Sequence, residues 1–183
     1  MKFSCEKALL QAAINTASRA VASKSSIPAL EGLLLEARHG YLIVSGYNMQ
    51  LGIRSRFPAN IIEEGELVLN ARLFGDIIRK MPDDVIVFSA DDKLMVSVTC
   101  GDADFHILGL NAADFPELPD VEDDYICTVK QSVLKTMING TSFAVSTNES
   151  RIVHTGSLFE IGAGMLTVVS VDGFRLALRR EQY

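Results

Sequence analysis

The chain has 183 residues, 48% of them hydrophobic and 22% charged, with 13 Gly and 5 Pro. This supports one full core or two small ones and excludes a disordered or low-complexity chain. A net charge of −6 argues against a simple basic nucleic-acid binder, no apolar run is long enough for a signal peptide or membrane span, and three unclustered cysteines (Cys5, Cys100, Cys127) fit reduced thiols in a cytoplasmic protein.

In chain order, the pattern predicts a strand over 2–5 and a helix over 7–21 with the apolar stripe Leu10, Ile14, Ala17 and Val21. Strands follow near 31–37, 41–45 and 51–57, alternating or continuously apolar and separated by Gly, Asn or Asp. The order then repeats: a strand over 66–69, a helix over 72–81 with Leu73, Phe74, Ile77 and Met81 on one stripe, and strands near 84–89, 93–99 and 103–109. The stretch "NAADFPELPDVEDD", with two prolines and a run of acids, reads as an extended, solvated linker. Beyond it come a strand over 125–129, a helix over 131–143 striped by Val133, Leu134, Met137 and Ile138, and strands near 157–161, 165–170 and 174–179. "ADDKL" and "GAGM" are hairpin turns by composition.

The third unit echoes the first in its residues. Pairing each position of 10–44 with the one 124 later gives 13 identities in 35, where ordinary usage gives roughly two or three. They include Leu10/Leu134, Ile14/Ile138, Asn15/Asn139, Gly32/Gly156, Glu36/Glu160 and Gly40/Gly164. A period of this length is domain-sized. The expected fold class is therefore α+β, built of repeated β-α-β-β-β units with helices on one face of antiparallel sheets. Two units make a first domain over 1–120, and 121–183 is half of a second. An orphan unit exposes an apolar helix face and a sheet edge, the mark of a fragment.

Charge is unevenly spread. Segments 7–24, 70–81 and 130–151, the helices with their following turns, hold nine basic residues against two acids, a sum of +7. The remainder holds eight basic and 21 acidic residues, a sum of −13. On the first helix Lys7, Gln11, Asn15, Ser18 and Arg19 share a side without an acid, and the 124 offset maps them to Gln131, Lys135, Asn139, Ser142 and Phe143. Arg72 and Arg79 form a similar face on the middle helix. Sparse cations among small polar groups can neutralise phosphates without reading bases, which gives weak, salt-sensitive, sequence-independent binding. The alternative is a merely solvated helix face.

No signature of catalysis emerges. His39, His106 and His154 are isolated from any Cys or carboxylate at metal-ligand spacing. "GDADF" and the pairs Asp83-Asp84, Asp91-Asp92 and Asp123-Asp124 leave a metal-dependent nuclease as the rival, but they fall at turns or in the linker, where acids are expected. No phosphate loop, nucleophile elbow or Cys/His pair is present, so no cofactor, catalytic residue or metal ligand is assigned.

Taken together, "MKFSCEKALLQAAINTASRAV", "SSIPALEGLLLEA", "AADFPELP", "SFAVSTNESR" and "VDGFRLAL" resemble the bacterial sliding clamp, the beta subunit of DNA polymerase III, over essentially the whole chain. The resemblance implies a non-catalytic processivity factor: three similar domains per chain, two chains closed into a ring, and helices lining a channel for double-stranded DNA. It implies DNA-backbone roles for Lys24, Arg72, Thr147, Asn148 and Arg151, beside the Lys7, Arg19, Arg79 and Lys135 already noted. It implies a pocket using Val171, Gly173, Phe174, Arg175 and Leu176 that takes short hydrophobic motifs from polymerases, the clamp loader and repair proteins. His154 stands where the family places an apolar pocket residue. Core packing is the competing reading for Phe174 and Leu176. Leu73, Phe105 and Ile107 match the first domain's side of the ring interface, whose third-domain partner is absent from these 183 residues. The expectation is a chain that does not close the normal ring and pairs instead as a homodimer, through the orphan unit or along the Phe105 edge. A peptide-binding module that ignores DNA is the remaining alternative.

Overall fold

The computed structural model describes residues 1–119 and 126–183. The chain divides into two compact units, Met1–Asp120 and Val121–Tyr183.

Unit 1 begins with strand β1 (Lys2–Glu6), whose Phe3 and Cys5 point inward while their neighbours face out. Burial pushes the Cys5 thiol up to about 12. Helix α1 (Lys7–Ala17) buries Leu10, Ala13, Ile14 and Ala17. The expected helix stops short of Val21, because the chain tightens into a 3₁₀ turn over Ser18–Ala20. Strands β2 (Gly32–Arg38) and β3 (Tyr41–Tyr47) form a hairpin across His39 and Gly40, both at positive φ (51° and 77°). Two left-handed central residues match the strand twist, and Gly supplies one of them without strain. Strand β4 (Gly52–Pro58) continues the meander. Strand β5 (Asn60–Glu63) is absent from the sequence reading; "NIIE" is too short to show a period.

Strand β6 (Gly65–Asn70) opens the second repeat and leads into helix α2 (Ala71–Lys80). Asn70 Oδ1 accepts from the Leu73 amide at 3.0 Å, capping an amide that the helix itself leaves unsatisfied. Strands β7 (Val85–Ala90), β8 (Met95–Cys100) and β9 (Ala103–Leu108) complete the repeat.

The repeats exchange their leading strands. The sheet orders are β4-β3-β2-β6 and β5-β1-β7-β8-β9, so β6 pairs with the first repeat and β1 with the second. One core contains Leu10 and Ile14 of α1, Phe74 and Ile78 of α2, and Leu33, Leu35, Leu42, Phe88 and Val98 of the sheets. Phe3 stacks on Phe88 at 4.6 Å between centroids, and Phe74 meets Phe88 edge-on. Apolar stripes from both helices and both sheets thus bury one another, which neither repeat achieves by itself.

The expected solvated linker is docked along part of its length. Leu110 bridges to Val68, Asn111 caps a 3₁₀ turn over Ala112–Asp114, and Phe115 is buried with Ala29, Leu30, Tyr47 and Val68. Phe115 carries enough apolar area to hold the segment against unit 1, outweighing the extended bias of the prolines. Asp123-Asp124 lies outside the described residues.

Unit 2 contains helix α3 (Gln131–Asn139) and strands β10 (Leu158–Gly162), β11 (Met165–Val171) and β12 (Leu176–Gln182), in the order β10-β11-β12. The helix stops four residues before the expected 143. Gly140 caps it, and Thr141 Oγ1 donates to the Met137 carbonyl at 2.9 Å. Ala163 and Gly164, at φ 51° and 73°, repeat the hairpin turn of unit 1. The core is small: Met137, Leu166 and Val168, with Val129, Val133 and Leu134 against it. Tyr125 lies outside the described residues, and residues 126–129 form no strand, contrary to expectation. The reason is visible in unit 1, where each leading strand finds its place in the sheet of the other repeat.

Candidate nucleic-acid and peptide interfaces

The cations split into committed and free. Lys7 is committed: Nζ donates to the Met81 carbonyl at 2.6 Å and to Asp83 Oδ1 at 2.7 Å, and its side chain is 14% exposed. This corrects its reading as a phosphate contact, since its charge is already neutralised and ties α1 to the turn after α2. The same bond and charge hold the Asp83 carboxyl below its ordinary range. Arg79 pairs with Asp76 one turn earlier and stays exposed. Arg19, Lys24, Arg72, Lys135 and Arg151 are exposed and pair with no carboxylate among the described residues.

In unit 1 one of these cations, Arg72, lines a concavity. Ser18, Val21, Ala22 and Ser23, from the turn after α1, Glu31, and Asn70, Ala71 and Arg72, from the start of α2, line a volume of about 490 Å³; the Glu31 carboxylate accepts from the Ser25 amide at 3.0 Å. Lys24 follows Ser23 in the chain, and Arg19 follows Ser18. The first turn of α2 contains no acid, so the amides that Asn70 leaves uncapped and Arg72 add positive potential, set against the one carboxylate of Glu31. Such a surface can hold a polyanion's backbone and has no means of distinguishing bases.

In unit 2 a second concavity of about 220 Å³ is lined by Ser146, Asn148, Ser150, Arg151, His154, Asp172, Gly173 and Phe174. Asn148 and Arg151, read as DNA contacts, therefore share a hollow with His154, Gly173 and Phe174, read as peptide contacts. Exposed Thr147 sits between the lining residues Ser146 and Asn148. The Ser146 amide donates to the His154 carbonyl at 2.8 Å, and Asn148 Oδ1 accepts from the Ser150 amide at 2.9 Å. Opposite, Asp172 builds the β11–β12 turn: Oδ1 accepts from the amides of Phe174 (2.9 Å) and Arg175 (3.0 Å), and Oδ2 from Arg175 Nε (2.8 Å). Donation by the Phe174 amide, then by the Arg175 amide, holds the Asp172 carboxyl below the usual carboxylate range. Gly173 sits at φ 92°, the left-handed region the turn requires.

This turn lifts Phe174 to 101% exposure, which rules out core packing for it here. Val171 and Leu176 pair across the end of the hairpin, Val171 half-buried and Leu176 exposed. Arg175 lies over the ring of Phe143, 5.6 Å from its centroid. Asp172 reads as a turn residue in the sequence but is not among the residues expected to form the pocket.

Leu73, on α2, and Phe105, on the edge strand β9, are exposed, and Ile107, also on β9, packs on the core of unit 1. Ile107 shares a face with Phe105 on this edge strand and is 9% exposed. Its inward face sets it opposite Val96, another core residue. The acids of the nuclease reading make turn hydrogen bonds: Asp91 accepts from Lys93 and Met95, and Asp84 from Val85. Among the described residues no group of three His, Cys, Asp or Glu side chains could hold a metal, and no helix is long and apolar enough to cross a membrane.

The beta sliding clamp of Halalkalibacterium halodurans is 33% identical over 188 residues, spanning 98% of this chain and 50% of the relative. A crystal structure of a putative DNA polymerase III beta subunit from Eubacterium rectale superposes with a TM-score of 0.94 at 34% identity, and the Bacillus subtilis sliding clamp with 0.94 at 30%. Both matches span 100% of this chain and 50% of the other. The chain thus spans about half the length of the curated relatives it matches, and its mixed helix and antiparallel-sheet architecture is that of the sliding clamps. With residues 1–119 matching the N-terminal domain and residues 128–183 the central domain of the DNA polymerase III beta subunit, the chain belongs to that family.

Proposed function

We propose that this chain carries the N-terminal domain and part of the central domain of a DNA replication processivity clamp. It is a non-catalytic cytoplasmic protein that holds duplex DNA and docks polymerase, clamp loader and repair proteins through short hydrophobic motifs. Arg19, Lys24, Arg72, Arg79, Lys135, Thr147, Asn148 and Arg151 contact the phosphate backbone. Val171, Gly173, Phe174, Arg175 and Leu176, with His154 opposite, receive the peptide. Self-association brings the copies together. The observation that carries this reading is that Arg19 and Lys24 after α1 and Arg72 at the start of α2 are exposed and make no ion pair among the described residues, on a chain of net charge −6.

Clamps grip by closing around DNA, so the isolated surface binds weakly. Titration of a labelled linear duplex at several salt concentrations should give affinity weaker than about 1 μM near physiological salt, falling steeply as salt rises. Lys24→Ala with Arg72→Ala should reduce the log–log salt slope by roughly two, one for each phosphate no longer neutralised. Sub-micromolar or salt-insensitive binding overturns the proposal.

A further inference from the structure

We infer that Glu31 is a positioning residue for Lys24: its carboxylate fastens the loop that presents this lysine to a phosphate backbone. The inference rests on the DNA role proposed above and gives a part in it to an acid that charge alone would count against it.

The loop over residues 21–31, "VASKSSIPALE", leaves the turn after α1 and returns to β2 at Gly32. A Ser-rich stretch of this kind stays mobile unless its backbone is tied down. Its base is tied by the Ala22 amide, which donates to the Leu30 carbonyl at 3.0 Å, and by the Leu30 amide, which donates to the Ile27 carbonyl at 3.1 Å. Ala29 and Leu30 are buried with Tyr47, Val68 and Phe115, so the 3₁₀ turn over Pro28–Glu31 is packed into unit 1. These contacts alone leave residues 23–26 unsupported. Glu31 reaches across to them: Oε1 accepts from the Ser25 amide at 3.0 Å, and Ser25 Oγ accepts from the Ile27 amide at 3.1 Å. Lys24 thus lies between two fastened positions, Ala22 and Ser25, while it remains exposed itself.

A carboxylate accepts a backbone N–H more strongly than a neutral oxygen does. Glu31 is half-buried and makes no ion pair among the described residues, so the Ser25 amide is what its charge serves. It also lines the same hollow as Arg72, where a negative charge opposes a polyanion. Glu31 therefore acts on duplex binding with two opposite signs. Its charge repels phosphates, and its hydrogen bond orders the chain around Lys24 before the duplex arrives, so that binding need not order it. The ordering outweighs the repulsion, because salt near physiological strength screens exposed charges beyond about 8 Å and leaves the loop bond intact.

Glu31→Gln keeps an acceptor for the Ser25 amide and removes the charge, whereas Glu31→Ala removes both. In the labelled-duplex titration near physiological salt, Glu31→Ala should bind several-fold more weakly than the unaltered chain, although its net charge is less negative by one. Glu31→Gln should bind at least as tightly as the unaltered chain. Added to Lys24→Ala, which leaves no lysine to position, Glu31→Ala should no longer weaken binding. Without DNA, amide hydrogen exchange and heteronuclear relaxation should show residues 23–26 loosened by Glu31→Ala and kept ordered by Glu31→Gln, with circular dichroism spectra unchanged. Equal tightening by both substitutions, or a segment 23–26 no looser in Glu31→Ala than in the unaltered chain, overturns the inference. Failure of the DNA reading shows differently: Lys24→Ala then leaves the salt slope unchanged, which overturns both, even where Glu31→Ala loosens the loop.

Discussion

Phe174 and Asp172 act as a pair. The fully exposed Phe174 ring at a two-strand turn leaves its whole apolar area available for a ligand to cover. Asp172 holds it there through two backbone amides and Arg175. Phe174→Ala should weaken binding of a short hydrophobic clamp-binding peptide by about tenfold or more, the scale of a buried aromatic anchor, as read by fluorescence polarisation. Asp172→Asn keeps an acceptor and loses the charge, so it should weaken the peptide several-fold while Phe174 remains. The Asp172 carboxyl lies below its ordinary value, so the support it gives is present above the ordinary range and is lost as pH falls through its lowered pKa. Peptide affinity should therefore persist down to about pH 4.

At the scale of elements, glycines and caps carry predictions that hydrophobic pattern does not. Asn70→Ala removes the α2 cap and should cost about 1 kcal/mol in urea denaturation. Gly32→Ala forces β2 and β6 apart and should cost about 1–3 kcal/mol, while Gly156→Ala, in open space, should be near neutral to the fold of a single copy. The helices and hairpins were legible because their periods are long and their turns bear Gly, Asn or Asp. Strand β5 was not, being four residues without a period. The docking of Phe115 was missed because two prolines and a run of acids mask one buried aromatic. Local sequence also misjudged 126–129, whose strand character depends on an edge elsewhere. Charge alone placed Lys7 among the phosphate contacts; only the third dimension shows Asp83 and the Met81 carbonyl beside it.

Over the whole molecule, function resides in surfaces rather than in a reactive centre. Two repeats satisfy each other in unit 1, and a third carries the hollow proposed to take a peptide on a core of few residues. Arg19 and Lys24 after α1 and Arg72 at the start of α2 make no ion pair among the described residues, while Asp84, Asp91 and Asp172 are tied into turns. The most direct measurement is a set of amide shift perturbations in an isotope-labelled chain titrated with duplex DNA at low and moderate salt. Shifts should concentrate at Arg19, Lys24, Arg72, Lys135 and the segment 147–151, and should fade together as salt rises. Shifts confined to the edge strands β4 and β9, or unchanged by salt, would contradict the account.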